Sequence, residues 1–313
     1  MSTKSSAVIP VWAVCMALVI HSLWGGNPVA VKLGLEAFPP LWSGFFRFTL
    51  GCMCVYAWAR FTGVELLPPR DEWLPLLAIG SVFTVQIALM NFGISQTTAT
   101  NGAVLISTNP LFGVLFAHWL VPGDRAGWLR VLGAAIAFAG VALVLLIGSP
   151  PERSVVDSAL LNRSWSVVPS INSGDWIVLA SACLLGLRLG LSGRLLQRGN
   201  EVRLTFWQML LSLPAFGLGA WLTETIRWEA IGVRSVAGIC YQGIVVAGLA
   251  FTVNFYLMRR FSPSVMISFN FVAPVAGVLL GMAILGEEPT LGLLAGMLLV
   301  AIGLVLIARR VGL

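Results

Sequence analysis

Long apolar runs alternate with short polar interruptions along the whole chain. A helix crossing about 30 Å of hydrocarbon needs about 20 mostly apolar residues. Runs of that length, bounded by charge, proline or glycine clusters, fall at residues 8–31, 40–61, 73–95, 102–121, 126–147, 175–196, 204–222, 233–258, 265–285 and 290–307. The pattern predicts an all-α integral membrane fold of ten transmembrane helices. The first run follows Lys4, but it is too long for the apolar region of a signal peptide and lacks a small-x-small cleavage site followed by soluble sequence, so it reads as a span.

Composition agrees with that solvent. Apolar residues make up 58% of the chain and charged residues 10%, with a mean hydropathy of +0.91, against about 45–50% and about 25% in soluble domains. So little charge cannot cover a water-soluble surface without large apolar patches, and a disordered chain would be poor in apolar residues and rich in charge. The net charge of +6 does not imply nucleic acid, because the Lys and Arg residues lie between the apolar runs. Assigning the loops alternately to two sides puts most of them on one face, from Arg60 and Arg70 to Arg309 and Arg310. Positive residues stay inside, so both termini are expected in the cytoplasm and the long Ser- and Pro-bearing loop 148–174 outside. Cys15, Cys52, Cys54, Cys183 and Cys240 all fall within spans. They read as small packing residues, with neither a disulfide framework nor metal-ligand spacing, and no cofactor is implied.

Sliding the chain on itself by about 163 residues places Asn91-Phe92 on Asn254-Phe255. It also places Pro110 and Gly113 on Pro274 and Gly277, and Gly133 and Gly140 on Gly296 and Gly303. Arg47 lands near Gln208. This divides the chain into a first repeat, 1–147, a linker, 148–174, and a second repeat, 175–313. Five helices per repeat is an odd number, so the second copy enters the membrane from the opposite side. Two inverted five-helix repeats are a building plan of secondary transporters that bind solute near the midplane.

The run Trp24-Gly25-Gly26-Asn27-Pro28-Val29-Ala30-Val31-Lys32, then Pro39-Pro40 and Arg47-Phe48, resembles the bacterial EamA-type drug/metabolite transporters. So do Asn101-Gly102-Ala103 leading to Asn109-Pro110-Leu111-Phe112, and Gly286-Glu287-Glu288-Pro289-Thr290. The likeness covers both halves. It implies a ten-helix bundle, monomer or homodimer, that moves amino acids, other small metabolites or drugs, usually outward. In the second half the first-span motif is reduced to Leu185-Gly186-Leu187-Arg188-Leu189-Gly190, so pocket residues do not transfer to that span.

Ionisable residues within spans are functional candidates. Arg47 lies near the outer start of the second span, where two readings stand: it snorkels to the headgroups, or it holds a substrate carboxylate. Arg188 lies deeper in the sixth span, with the same two readings. If both face a cavity they make it positive. The acids, from Glu36 to Glu288, fall in loops or at span ends, which leaves His21 as the candidate proton-handling group, with a helix-to-helix hydrogen bond as its plainer role. Trp24, Asn27, Gln86, Asn109, Trp207, Gln208 and Asn270 complete the candidate substrate pocket, with Trp24 and Trp207 as apolar walls. The weakened helix at Gly25-Gly26-Asn27-Pro28 exposes backbone dipoles. Asn91, Asn254, Pro110 and Pro274 are the candidate gating positions beside His21. The glycines at 277 and 281, and at 292 and 296, suggest close packing of the ninth and tenth helices.

The expected function is alternating-access export of small metabolites, amino acids or related amines and drugs first among them, across the cytoplasmic membrane, with lipid and solute as the partners. Inward permeation is the alternative. An intramembrane enzyme or a receptor is disfavoured, since the chain shows no metal-binding His pair, Asp-rich motif or signalling domain.

Overall fold

The computed structural model describes residues 10–120, 128–147, 172–196, 199–261, 269 and 272–308. The described residues are helical, with no strand among them. The helices are α1 (Val11–Gly25), α2 (Asn27–Leu35), α3 (Pro40–Thr62), α4 (Trp73–Gln96), α5 (Ala99–Ile106), α6 (Asn109–Leu120), α7 (Trp128–Ile147) and α8 (Ser173–Leu195). Then follow α9 (Glu201–Leu210), α10 (Leu213–Thr223), α11 (Val233–Cys240), which passes through a π-helical stretch (Tyr241–Ala250) into α12 (Phe251–Arg260), α13 (Val272–Leu280), which ends in a π-helical turn (Gly281–Leu285), and α14 (Leu291–Ala308). By length and apolar composition, Val11–Leu35, Arg70–Gln96, Ser173–Leu195 and Val233–Arg260 are four clear membrane-spanning helices. The 23 residues of α8 rise about 35 Å at 1.5 Å each.

The boundaries follow local chemistry. Pro40 opens α3, where a missing N–H costs nothing. Asn172 and Asn200 cap α8 and α9 by accepting from backbone amides of the first turn. Gly63 and Gly286, at φ 68° and 71°, turn the chain out of α3 and of the π turn after α13 in the left-handed region. Three expected spans are broken within the membrane-length run: at Gly26 before Pro28, at Ser107–Thr108 before Pro110, and at Leu211–Ser212 before Pro214. Each proline withholds the donor that would continue the ladder. Around the first break the carbonyls find side chains instead, with Tyr241 Oη donating to Leu23 O at 2.8 Å and Gln242 Nε2 to Ala30 O at 2.9 Å.

Large apolar side chains lie on the outside as well as the inside. Phe61, Leu74 and Trp221 are exposed, while Ser43, Thr100, Ser181 and Gln208 are fully buried. Apolar surface facing outward with polar groups inside is the arrangement a lipid solvent favours.

Packing is set by glycines at helix crossings. α7 lies along α14, and the contact is reciprocal. A Cβ at Gly140 would sit 2.7 Å from Gly296 O and 2.8 Å from Val300 N, and one at Gly303 would sit 2.5 Å from Gly133 O and 2.7 Å from Ala137 N. α1 crosses α13 and α8 crosses α6 in like fashion. A Cβ at Gly25 would collide with Ala273 O and lie 3.0 Å from Gly277 N, while one at Gly186 would lie 2.6 Å from Asn109 O and 2.8 Å from Gly113 N. The close packing expected of the ninth and tenth helices is found within the bundle, each on a different neighbour. Gly277 and Gly281 face Gly25, Ala103 and Thr100, and Gly296 faces α7, because each small-residue stripe meets the helix that can bring its backbone closest.

Candidate functional site

A cavity of about 100 Å³ lies within the bundle. α1, α2, α3, α4, α5, α6, α8, α12, α13 and the π-helical stretch all contribute to its lining. Of the sequence candidates it brings together His21, Trp24, Asn27, Arg47, Gln86, Asn109, Pro110, Arg188 and Asn254. Most of their neighbours are apolar, among them Ile87, Met90, Leu185, Val246, Phe251 and Met258, and among the described residues no acid joins the lining.

Arg47 is held there by close backbone approach. Gly243, in the π-helical stretch, has no side chain to keep α3 away, and a Cβ on it would sit 2.8 Å from Arg47 O. The guanidinium is 1% exposed, stacks over Phe48 at 5.0 Å, and leaves Nε and Nη1 without a partner. Arg47 thus lines the cavity and does not snorkel outward. Arg188, 3% exposed, is gripped more firmly. Its Nη1 donates to Gln208 Oε1 at 2.7 Å, and its plane faces the rings of Phe83 at 5.0 Å and Phe251 at 5.6 Å, leaving Nε unpartnered. Aromatic faces stabilise a desolvated cation without neutralising it.

The neutral polar groups around them are partly used. Gln86 Nε2 donates to Ser181 Oγ at 3.1 Å while its Oε1 is unpartnered. Asn27 Nδ2 points to Met90 Sδ at 3.8 Å, with its Oδ1 unpartnered. Trp24 packs edge-on to His21 and Phe251 and leaves its indole Nε1 without an acceptor. Asn109 Nδ2 donates to Ile106 O at 2.9 Å, tying the start of α6 to the end of α5. His21 Nδ1 donates to Ala17 O at 2.7 Å, a bond within its own helix and not the helix-to-helix bond expected. Asn254 Nδ2 lies 3.3 Å from Met258 Sδ.

Four candidates stand elsewhere. Trp207 is not a cavity wall: its Nε1 donates to Leu66 O at 2.6 Å and its ring packs on Trp73, because the α9 face that carries it turns toward the chain between α3 and α4. Gln208, on the next face, sits behind Arg188. Asn91 Nδ2 donates to Pro40 O at 2.9 Å and fastens α4 to the start of α3. Pro274 is buried in α13 beside the lining residue Ala273. Asn270 lies outside the described residues.

Sequence reasoning did not anticipate Phe48, Phe83 and Phe251 as the partners of the two cations, since a phenylalanine in an apolar run carries no signal of what it faces. It also placed every acid in a loop or at a span end. Asp175 stands at such an end yet is 1% exposed, where it accepts from Thr97 Oγ1 and from Asn101 Nδ2. Glu287 accepts from the amides of Ala99 at 2.7 Å and Thr100 at 2.8 Å, capping α5 across the bundle.

The sequence is similar to known membrane proteins over nearly its full length. A model of the EamA-like transporter family matches residues 11–146 and again residues 172–309. An uncharacterized transporter of Archaeoglobus fulgidus is 25% identical over 85% of this chain and 87% of its own. A probable terminal-alkyne amino-acid exporter of Streptantibioticus cattleyicolor is 24% identical over 96% and 93%. The uncharacterized inner membrane transporter YedA of Escherichia coli is 25% identical over 90% and 84%. A crystal structure with 22% sequence identity superposes with a TM-score of 0.66 over 96% of this chain and 99% of that one, a likeness of fold. With both halves matched, the chain belongs to the EamA-like transporter family of membrane transporters.

Proposed function

We propose that this protein is an alternating-access carrier that exports small carboxylate-bearing metabolites, amino acids first among those to test, across the cytoplasmic membrane. The observation that carries the reading is the cavity into which both halves of the chain send a buried guanidinium, Arg47 and Arg188, with no acid among the described residues that line it.

The reading includes ten membrane spans as two inverted repeats, 1–147 and 175–313, joined by the linker 148–174, with both termini in the cytoplasm. Supporting it are the two separate family matches and the paired crossings. The Gly140 contact with Gly296 and Val300 becomes the Gly303 contact with Gly133 and Ala137 when every number is moved by 163 residues. The lining comes from one chain, so a monomer suffices to form the site, and a homodimer would hold two. Both ends are tied by carboxylates. At one, Arg203–Glu72 and Arg259–Glu201 are ion pairs at 2.8 and 2.6 Å; at the other, Glu287 and Glu224 hold backbone amides of α5 and α3 and Arg234 pairs with Glu36 at 3.2 Å. Alternating access requires one set to part while the other holds. The name of the Streptantibioticus cattleyicolor relative supports export of an amino acid.

The test is efflux from proteoliposomes loaded with radiolabelled carboxylates and amino acids. Loss of label above that from protein-free vesicles is expected, faster in one membrane orientation than in the other. No movement of any compound by folded protein overturns the reading, and uptake without efflux would make the carrier an importer.

A further inference from the structure

Among the described residues, all of the formal charge that lines the cavity is positive. Arg47 Nε and Nη1, Arg188 Nε and Trp24 Nε1 are buried donors without a partner, and Asn27 Oδ1 and Gln86 Oε1 are buried acceptors without one. The two guanidiniums line one cavity and are within electrostatic reach of each other. Gln208, which steadies Arg188, is neutral, as are the rings that flank both cations. Unpaired buried cations are costly, and a bound solute relieves that cost in proportion to its own negative charge.

We infer that the cavity selects solutes of net negative charge: an organic carboxylate on an apolar body, whose neighbouring substituent is a neutral hydroxyl or acylated amine and not an ammonium. The inference rests on the carrier reading above and narrows its substrate class. The carboxylate sits between Arg47 and Arg188, where two cations meet one anion. One of the two amide oxygens, Asn27 Oδ1 or Gln86 Oε1, accepts from the hydroxyl or amide N–H. The apolar body rests against Met90, Leu185 and Phe251. A zwitterion brings its carboxylate to the same place, but its ammonium then stands beside two guanidiniums with no carboxylate to face it. An amine without a carboxylate meets only repulsion.

The experiment is a binding series on the purified full chain, followed by thermal unfolding and by competition. Leucine is compared with 2-hydroxy-4-methylpentanoate, N-acetylleucine and isoamylamine, and phenylalanine with 3-phenyllactate, N-acetylphenylalanine and phenethylamine. Each hydroxy acid and N-acetyl acid is expected to bind at least tenfold more tightly than the parent amino acid, and the amines not at all. Arg47→Gln and Arg188→Gln are each expected to bring that ratio toward one. Equal or tighter binding of the amino acid, binding of the amine, or a ratio unchanged in both variants overturns the inference while the carrier reading stands. If no compound of either series binds to folded protein or crosses a proteoliposome membrane, the carrier reading of the site fails with it. The ratios within the unmodified protein decide the matter even where a variant does not fold.

Discussion

Gly25 lets α1 close on α13, and Gly186 lets α8 close on α6. Each brings a bare Cα against a carbonyl and an amide four residues apart, Ala273 and Gly277 in one case and Asn109 and Gly113 in the other. The residues beside the two glycines differ in chemistry. After Gly25 the helix stops, and Trp24 and Asn27 reach the cavity from its broken end. After Gly186 the helix runs on, and Arg188 reaches the same cavity two residues later. The likeness sets where the helices sit, because close backbone packing tolerates no Cβ. The difference sets what the cavity presents, since a side chain beside the crossing can change without disturbing it.

Adding bulk at the crossings is the strongest way to break the comparison. Gly25→Val and Gly186→Val should each destabilise the protein by on the order of 3 kcal/mol or more, at the upper end of overpacking, with Gly25→Val the worse because its Cβ would press closer on its carbonyl than that of Gly186. Thermal unfolding in detergent measures both, and a tolerated valine at either site would show that the crossings are alike only in outline.

Removing the charges comes next and separates the two cations. Arg188→Leu should lower transport by about tenfold to a hundredfold, since hydrogen bonds to a charged group are worth about 1.5–3 kcal/mol and 1.4 kcal/mol is tenfold. It should bring little gain in stability, because Gln208 Oε1 loses its donor. Arg47→Leu should cut transport to a similar extent and raise the unfolding temperature of the ligand-free protein. Its guanidinium has two unpartnered nitrogens, and an apolar replacement for a buried charge is often stabilising. Equal stability changes in the two variants would mean that Gln208 does not distinguish these cations.

Gln208→Leu touches only the support of Arg188. About a tenfold loss of substrate affinity is expected, with Arg47-dependent binding retained, and an unaltered affinity would show that the rings of Phe83 and Phe251 hold Arg188 unaided. His21→Ala should have the smallest effect, within about threefold on transport and without a change in its pH profile, because Nδ1 is already satisfied by Ala17 O within α1. A shifted pH profile would instead give His21 a part in proton movement.

The helical solvent problem was readable along the chain. Apolar runs of membrane length placed the helices to within a few residues, and prolines 28, 110 and 214 stand at three breaks. Only the first of these breaks was anticipated, from Gly25-Gly26-Asn27-Pro28, since a lone proline fits a kink, a break or a helix start equally well. Arg47 and Arg188 stood out because charge is rare in such runs, but whether they turned to lipid headgroups or to a cavity depended on neighbours far away in the chain. Trp207 and Gln208 show the limit most clearly. They are adjacent and both polar-tipped, yet one faces Leu66 and Trp73 and the other Arg188, a difference of one helical step of about 100°.

By itself, then, the sequence determined the solvent, the helical class and the family, because each is written in composition, in run length and in short motifs read along one dimension. Tertiary structure alone decided that Arg47 and Arg188 share one cavity, that Asn91 and Trp207 stay out of it, and that glycines seat α14 on α7. Those outcomes rest on which faces meet across separations of up to about two hundred residues, and a helix carries no mark of the neighbour its face will find.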